Sequence, residues 1–389
     1  MVSRYPDHTV FPNRPFFMEL NINLAHVERI AAELKLRPIQ VGATAQLFAD
    51  GATVPFIARY RKEATGEMDE VQIQTVRDRL EQLQAVDDRR SSIIKSLEER
   101  NLMTDVLRAK IAKADTMTVL EDLFAPFRPK RRTRATIAKE KGLEPLADFI
   151  EANIQTHGVD VDGEAAKFVD EAKEVPDIEA ALSGARDIIA ERISDTAEVR
   201  AALRKLFAEQ GTVTSKVMFG KEQDAEAQKF RDYFEWTEPM KTIPSHRMLA
   251  IRRGEKEGHL ILRIQPPEAD AIQLVERLTV VGNTAASQQM RLAAADSFKR
   301  LLSASMETEA RLESKKKADT EAVRVFADNL RELLLAAPLG QKRVLGIDPG
   351  FRTGCKTVVL DRQGKLLHND VIYPTASSAG EVREAAAAC

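Results

Sequence analysis

TAASQQMRLAAADSFKRLLSASMETEARLESKKKADTEAVRVFADNLRELLL, residues 284–335, runs without a proline or a glycine. Ala, Leu, Glu, Lys and Arg dominate it, residues that give up little rotamer freedom in a helix. One continuous helix over this span would be roughly 75 Å long at ~1.5 Å per residue, long enough to act as a spine joining domains. The stretch therefore sets the fold class: mainly α, a multi-helix scaffold built around a long central helix.

Working back from the spine, helical spacing recurs through most of the chain. Val27, Ile30, Ala31 and Leu34 lie on one helical stripe, Arg37-Pro38 breaks the run and opens a second helix, and a third short helix is expected at Pro55 to Tyr60. Three short helices with tight turns fit a helix-turn-helix-like unit that offers a helix to a nucleic-acid groove, although a small packing bundle fits the same pattern better. Asp69 and Glu70 favour the start of a longer helix carrying Val71 or Ile73, then Val76, Leu80 and Leu83. Periodicity continues through Ile93, Ile94 and Leu97, restarts after Thr104-Asp105 and after Asp115, and stops at Pro126. A further helix is expected from Pro145 to about Ile154, and the stretch Pro176 to Glu209 sets Ile178, Leu182, Ile188, Ile189 and Ile193 for burial before Gly211. Thr212 to Phe219 and His259 to Ile264 are short strand candidates.

Forward of the spine, after Pro338-Leu339-Gly340, the pattern turns to β. Arg343 to Asp348, Cys355 to Leu360 and Leu366 to Tyr373 read as an antiparallel meander, with Asp361-Arg362-Gln363-Gly364 as one turn. The domain divisions that follow are 1–17, a disordered extension or translated sequence upstream of the true start; 18–211, helical; 212–340, helical with minor strands; and 341–389, an incomplete α/β domain.

Composition narrows the function. Lys plus Arg number 58 against 60 for Asp plus Glu, a net charge of -2 that exerts no whole-molecule pull on a polyanion, so nucleic-acid contact has to come from local patches. The two cysteines, Cys355 and Cys389, have no disulfide or zinc spacing and fit a reducing cytoplasm. No segment has the apolar length of a signal peptide or a membrane span, so a membrane partner is not expected.

The densest basic segment is Phe127 to Gly142, where Arg128, Lys130, Arg131, Arg132, Arg134, Lys139 and Lys141 face one acid, Glu140. Pro126 and Pro129 hold its front extended, so the guanidinium groups can grip phosphates; pairing with acids of neighbouring helices is the competing reading. Arg59, Arg61 and Lys62, with Tyr60 interleaved, suit phosphate contact plus stacking, although ion pairing with Glu63 and Glu67 fits the spacing better. The run Glu313 to Lys317 reads as a solvated face. His246, beside the apolar Tyr233-Phe234-Glu235-Trp236 segment, reads as a core histidine. Gly346-Ile347-Asp348-Pro349-Gly350 ends an apolar strand with a carboxylate at its rim, the way RNase H-like folds place a first metal-binding aspartate. One aspartate cannot hold the two metal ions such nucleases use. The Gly350 to Gly354 turn lacks the Gly-Lys-Ser/Thr ending of a phosphate loop.

Four segments together, TVPFIARYRKEATG (53–66), RPKRRTRATIAKEKGLEPLA (128–147), FRDYFEWTEPMKTIPSHRMLAIRRGEKEG (230–258) and GIDPGFRTGCK (346–356), resemble the Tex family of bacterial transcription accessory proteins over roughly Leu20 to Tyr373. The resemblance implies a helix-turn-helix region, a central helical scaffold and a YqgF-type RNase H-like domain within which this chain is cut. Family members continue into helix-hairpin-helix and OB-fold RNA-binding domains. It also implies an RNase H-like domain without the full acidic set, hence no enzymatic activity, no cofactor, and Asp348 as part of an incomplete metal site. The expected role is a cytoplasmic, nucleic-acid-binding accessory factor in transcription. RNA or DNA would be gripped by Arg59, Arg61, Lys62, Arg128, Lys130, Arg131, Arg132, Arg134 and Lys139. The alternatives are a metal-dependent, resolvase-type nuclease and a protein-interaction scaffold docking on RNA polymerase or the ribosome.

Overall fold

The computed structural model describes residues 23–128, 132–350 and 354–373. The extension assigned to 1–17, and Lys130, Arg131 and the tip of the Gly350 to Gly354 turn, lie outside the described residues. Contacts gather into two units: the described residues of Met1–Ile243 and Ala250–Lys315 in the first, those of Pro244–Leu249 and Lys316–Cys389 in the second.

The first unit opens with α1 (Leu24–Leu34), α2 (Pro38–Ala49), α3 (Val54–Tyr60) and α4 (Lys62–Thr65), followed by the long α5 (Glu70–Glu99). Val27, Ile30, Ala31 and Val41 pack with Val76 and Leu83 of α5, while Val54, Ile57 and Ala58 of α3 pack with Met68 and Ile73. The bundle alternative thus describes how α1 to α3 pack. Ile73 takes the buried position and Val71 is exposed, because only Ile73 shares a stripe with Val76 and Leu83. Asp69 and Gln72 form a reciprocal capping box at the head of α5. Gly66 ends α4 at φ +60, the left-handed region that favours glycine; a Cβ there would have to displace only the flexible ends of Arg37 and Gln40, so the backbone is what calls for glycine.

A bidentate clamp ties α1 to α5. Arg79 Nε lies 2.6 Å from Glu33 Oε2, Arg79 Nη2 donates to Glu33 Oε1 at 2.8 Å, and Arg29 Nε reaches Oε1 at 2.9 Å. The Arg79 hydrogen bonds, opposed by partial burial and helped by Arg29, draw the Glu33 carboxyl from 4.5 to about 2. A depressed carboxylate stabilises the fold above its unfolded value and loses that contribution as pH falls through the folded one. The pair is partly solvated, so Glu33→Gln is expected to cost about 1 kcal/mol at neutral pH. In urea titrations at several pH values the gap to the parent protein should close between pH 4.5 and about 2; a gap that persists at the acid end would refute the assignment.

The rest of α5 packs Ile93 and Leu97 against α6 (Asp105–Lys113) and α7 (Met117–Phe124) through Ile111, Leu120 and Phe124. Thr104 caps α6 as its position suggests, but α7 is capped by Thr116 rather than Asp115, whose carboxylate instead takes Arg29 Nη1 at 3.1 Å. Beyond the 3-10 turn Ala125–Phe127 come α8 (Arg134–Glu140), α9 (Glu144–Ala152), α10 (Val161–Ala166), α11 (Ile178–Ser194) and α12 (Ala197–Gln210). Helix α11 is central and buries Leu182, Ile188, Ile189 and Ile193; Ile178, expected inside, is exposed at its first turn, where the neighbouring helices do not reach over it.

A three-stranded antiparallel sheet follows: β1 (Thr212–Val217) between β2 (Glu235–Pro239) and β3 (Leu260–Gln265). On β3 burial alternates, with Leu260, Leu262 and Ile264 inside. Between β2 and β3 runs α13 (Ser245–Lys256), and α14 (Glu268–Thr279) comes next.

The spine is helical throughout but not uniform. Helix α15 (Ala285–Asp296) passes into a π-helical turn at Ser297–Leu302 and then α16 (Ser303–Leu335). The first unit ends within α16, at Lys315.

In the second unit the expected meander is present. Strands β4 (Val344–Asp348), β5 (Cys355–Leu360) and β6 (Leu366–Ile372) form a sheet in chain order, all antiparallel. The Asp361 carboxylate accepts from the Gln363 and Lys365 amides, both at 2.9 Å, and Gly364 sits at φ +83. Among the described residues no helix is long and apolar enough to cross a membrane.

Candidate nucleic-acid interface

Helix α3 begins at Val54-Pro55, where proline costs no hydrogen bond. Turning Val54, Ile57 and Ala58 inward leaves Phe56 on the outer face with Arg59 and Tyr60 one helical turn further on. The Phe56 and Tyr60 rings lie 5.5 Å apart at 49°, 40% and 62% exposed. The Arg61 guanidinium sits 5.2 Å from the Phe56 ring centre and donates to the Tyr60 carbonyl at 2.9 Å. Arg59, Arg61 and Lys62 are all exposed. The pairing with Glu63 and Glu67 suggested by spacing does not form: among the described residues no ion pair involves any of the three cations. Residue spacing fixes how near two side chains can come, not where they point, and here Arg61 turns to an aromatic ring instead.

The 126–142 segment behaves differently. Arg128 is in extended backbone, as Pro129 requires, and Thr133 caps α8 by accepting from the Thr136 amide at 3.1 Å. Its cations meet carboxylates. Arg128 pairs with Glu121, which also receives Arg89 Nε at 2.6 Å; Arg132 meets Glu140 at 2.8 Å, Lys139 meets Glu144 at 2.8 Å, and Lys141 meets Glu174 at 3.2 Å. Arg89 foremost, against partial burial, holds the Glu121 carboxyl below the ordinary range, with Arg128 adding to it; Lys139 does the same for Glu144, with help from Arg192. Arg128, Arg132 and Lys139 nonetheless remain exposed. Arg134 is exposed and makes no ion pair or hydrogen bond among the described residues.

One ionic cluster escaped sequence reasoning. Asp122, its side chain 7% exposed, takes Arg200 Nε at 2.8 Å and Arg204 Nη2 at 3.0 Å; Glu309 takes Arg204 at 2.9 Å and also pairs with Arg200, whose Nη2 reaches Ser305 Oγ at 3.3 Å. Two arginines against two acids leave no net charge for a phosphate, so the cluster serves to join α7, α12 and α16. It borders a groove of about 1160 Å³ edged by Met117, Val119 and Leu312. The partners stand 78 and 109 residues apart, and no local signal connects them.

Asp348 ends β4 with its side chain in solvent, and among the described residues no group of three His, Cys, Asp or Glu side chains converges on a metal-sized site. These residues do not fit a two-metal centre. His246 is exposed rather than buried, because the first turn of α13 leaves its side chain uncovered while Met248 faces inward; among the described residues the buried histidines are His26 and His259. The neighbouring Trp236 lies on β2, edge-on to Tyr233, with its Nε1 donating to Glu238 at 3.2 Å.

Comparison with known proteins matches three stretches of the chain to family models, described as Tex-like protein N-terminal domain (residues 24–98), Tex central region-like (157–326) and Tex protein YqgF-like domain (342–389). An uncharacterized protein, YdcI, of Bacillus subtilis is 43% identical over 352 residues, 90% of this chain and 48% of its own length. The transcriptional accessory protein Tex of Neisseria gonorrhoeae is 41% identical over 350 residues, 88% of this chain and 45% of its own. A human protein named S1 RNA-binding domain-containing protein 1 is 27% identical over 370 residues, 91% of this chain and 36% of its own. The chain spans about half the length of the curated bacterial relatives it matches.

Proposed function

Because the chain belongs to the Tex family, we propose that it is a nucleic-acid-binding accessory factor in transcription, which contacts RNA or DNA phosphates through exposed cations on its helical frame. The observation that carries this reading is that Arg59, Arg61 and Lys62 are exposed and have no carboxylate partner among the described residues, while Arg134, also exposed, makes no ion pair and feels only the longer-range attraction of Asp187. A cation already neutralised must give up an acid to take a phosphate; these need not. Arg128, Arg132 and Lys139 form a second tier, since exposed ion pairs are worth about 0–1 kcal/mol and are readily exchanged for phosphate. The names of two relatives, a transcriptional accessory protein and an S1 RNA-binding domain-containing protein, support the role. In this reading the protein works in the cytoplasm, binding without catalysis, and Asp348 only closes its strand.

The test is a salt series. Reversing Arg59, Arg61 and Lys62 to glutamate should weaken binding to labelled RNA or DNA and make the log–log salt dependence shallower by about 2–3, since each phosphate contact contributes about 0.7–0.9. Reversal at Arg132 and Arg134 asks the same of the second segment. Parent-like affinity and slope in both variants would reject the reading. Cleavage of the strands with Mg²⁺ or Mn²⁺ would favour the resolvase-type nuclease, and capture of RNA polymerase or ribosomes that survives nuclease and high salt would favour the docking scaffold.

A further inference from the structure

We infer that the outer face of α3 is a stacking platform for single-stranded nucleic acid: an unpaired base lies on the Tyr60 ring while Arg59, Arg61 and Lys62 hold the adjoining phosphates. The inference rests on the nucleic-acid reading above and adds to it a ligand class and a place.

Leaving Phe56 and Tyr60 in water forgoes the stabilisation each would gain by burial, about 1.5–3 kcal/mol for a ring of Phe size. Of the ring pairs among the described residues, this is the one with both members exposed; Phe230 and His259 are buried, and Tyr233 and Trp236 are half-buried. It is also flanked by three cations that make no ion pair among the described residues. Arg61 covers Phe56 and is anchored by its bond to the Tyr60 carbonyl, so the guanidinium is already ordered and less entropy is lost on capturing a phosphate. With Phe56 occupied, the more exposed Tyr60 ring is the surface left for a base. Behind it, the buried Ile57 and Ala58 anchor the helix against Met68 and Ile73. A duplex keeps its base faces covered by its own stacking and offers this surface only phosphates, whereas a single strand offers bases as well. Charge alone would serve an acidic protein equally; the open ring beside the cations favours a base.

The experiment measures anisotropy of the 389-residue chain with three labelled probes: a single strand of about 12 nucleotides, an abasic strand of the same length, and a duplex. Tyr60→Leu should weaken binding of the base-bearing strand about tenfold, leave the abasic strand and the duplex unaffected, and keep the salt slope of the parent chain. Tyr60→Phe should bind as the parent does. The platform is overturned if Tyr60→Leu binds the single strand as tightly as the parent, or weakens the abasic strand equally, while the triple charge reversal still weakens binding; the phosphate-contact reading then stands alone. If the triple reversal binds as the parent does, or if no nucleic acid binds at all and an acidic protein is taken instead, the contacts assigned to α3 fail with it.

Discussion

Asp122→Ala is expected to destabilise the first contact unit by about 3 kcal/mol, because the mutation leaves two half-buried guanidinium groups with a single acid, Glu309, between them. The loss is large for a reason unrelated to the strength of the ion pair itself. Charges that have been taken out of water are tolerable only while they are matched, and removal of one partner exposes the full desolvation cost of the other. Exposed pairs have no such cost to uncover, so Arg132→Ala, which frees Glu140 at the surface, should change stability by less than about 1 kcal/mol. Guanidinium titrations of both variants beside the parent would decide the matter. An Asp122→Ala loss as small as that of Arg132→Ala would mean that Glu309 alone neutralises both arginines and that the cluster is not what joins α7, α12 and α16.

Glu307→Ala should cost a similar amount by a different route. Strand β3 is one of the two outer strands of its sheet, and its Ile264 amide, fully buried, donates to Glu307 Oε1 at 3.2 Å. Oε2 of the same carboxylate accepts from Arg263 Nη1 at 3.2 Å and Gln265 Nε2 at 3.3 Å. Alanine removes the acceptor from a buried N–H, a penalty of about 1–3 kcal/mol, and leaves a void where a 3% exposed side chain stood. The total is expected near 3 kcal/mol. Glu307→Gln keeps an oxygen for the Ile264 amide and should lose about half as much. Hydrogen exchange supplies the site-specific readout: the Ile264 amide should lose protection in the alanine variant well beyond the global change, and uniform loss across β3 would contradict the role given to the carboxylate.

The features legible in the sequence were those whose cause is local. Helices α1 to α3, the start of α5 after Asp69, the Thr104 cap and the β4–β5–β6 meander each follow from residues within a few positions of one another. Strand β2, EWTEP, is charged and ends in proline, and it becomes a strand because β1 offers it a ladder, a partner its own composition does not announce. Helix α7 starts at Met117, so Thr116 rather than Asp115 stands at the cap, and the aspartate meets Arg29, 86 residues earlier, a partner no local signal indicates. The interface divides the same way. Counting acids inside 127–142 finds Glu140 alone, yet Glu121, Glu144 and Glu174 come from outside that window and neutralise Arg128, Lys139 and Lys141. Conversely, the acids adjoining Arg59, Arg61 and Lys62 in sequence leave them free. Basic density in a sequence and free positive charge on a surface are separate quantities, and only the second one bears on a polyanion.

The π-helical turn at Ser297–Leu302 has a bearing on how this chain can vary. Ala286, Met290, Ala294, Phe298, Leu302, Met306 and Ala310 are all buried, a strict four-residue interval that a regular α-helix cannot keep on one side, since each interval over-rotates by about 40°. The wider turn takes up part of that excess and returns the downstream face to its partners. Dropping a single residue there would restore the regular α-helical turn and swing Glu307, Glu309 and Arg311 by about 100° together, away from β3 and α12 alike. Over these six positions chain length is constrained more tightly than side-chain identity, and an insertion or deletion would undo two distant anchor points in one event.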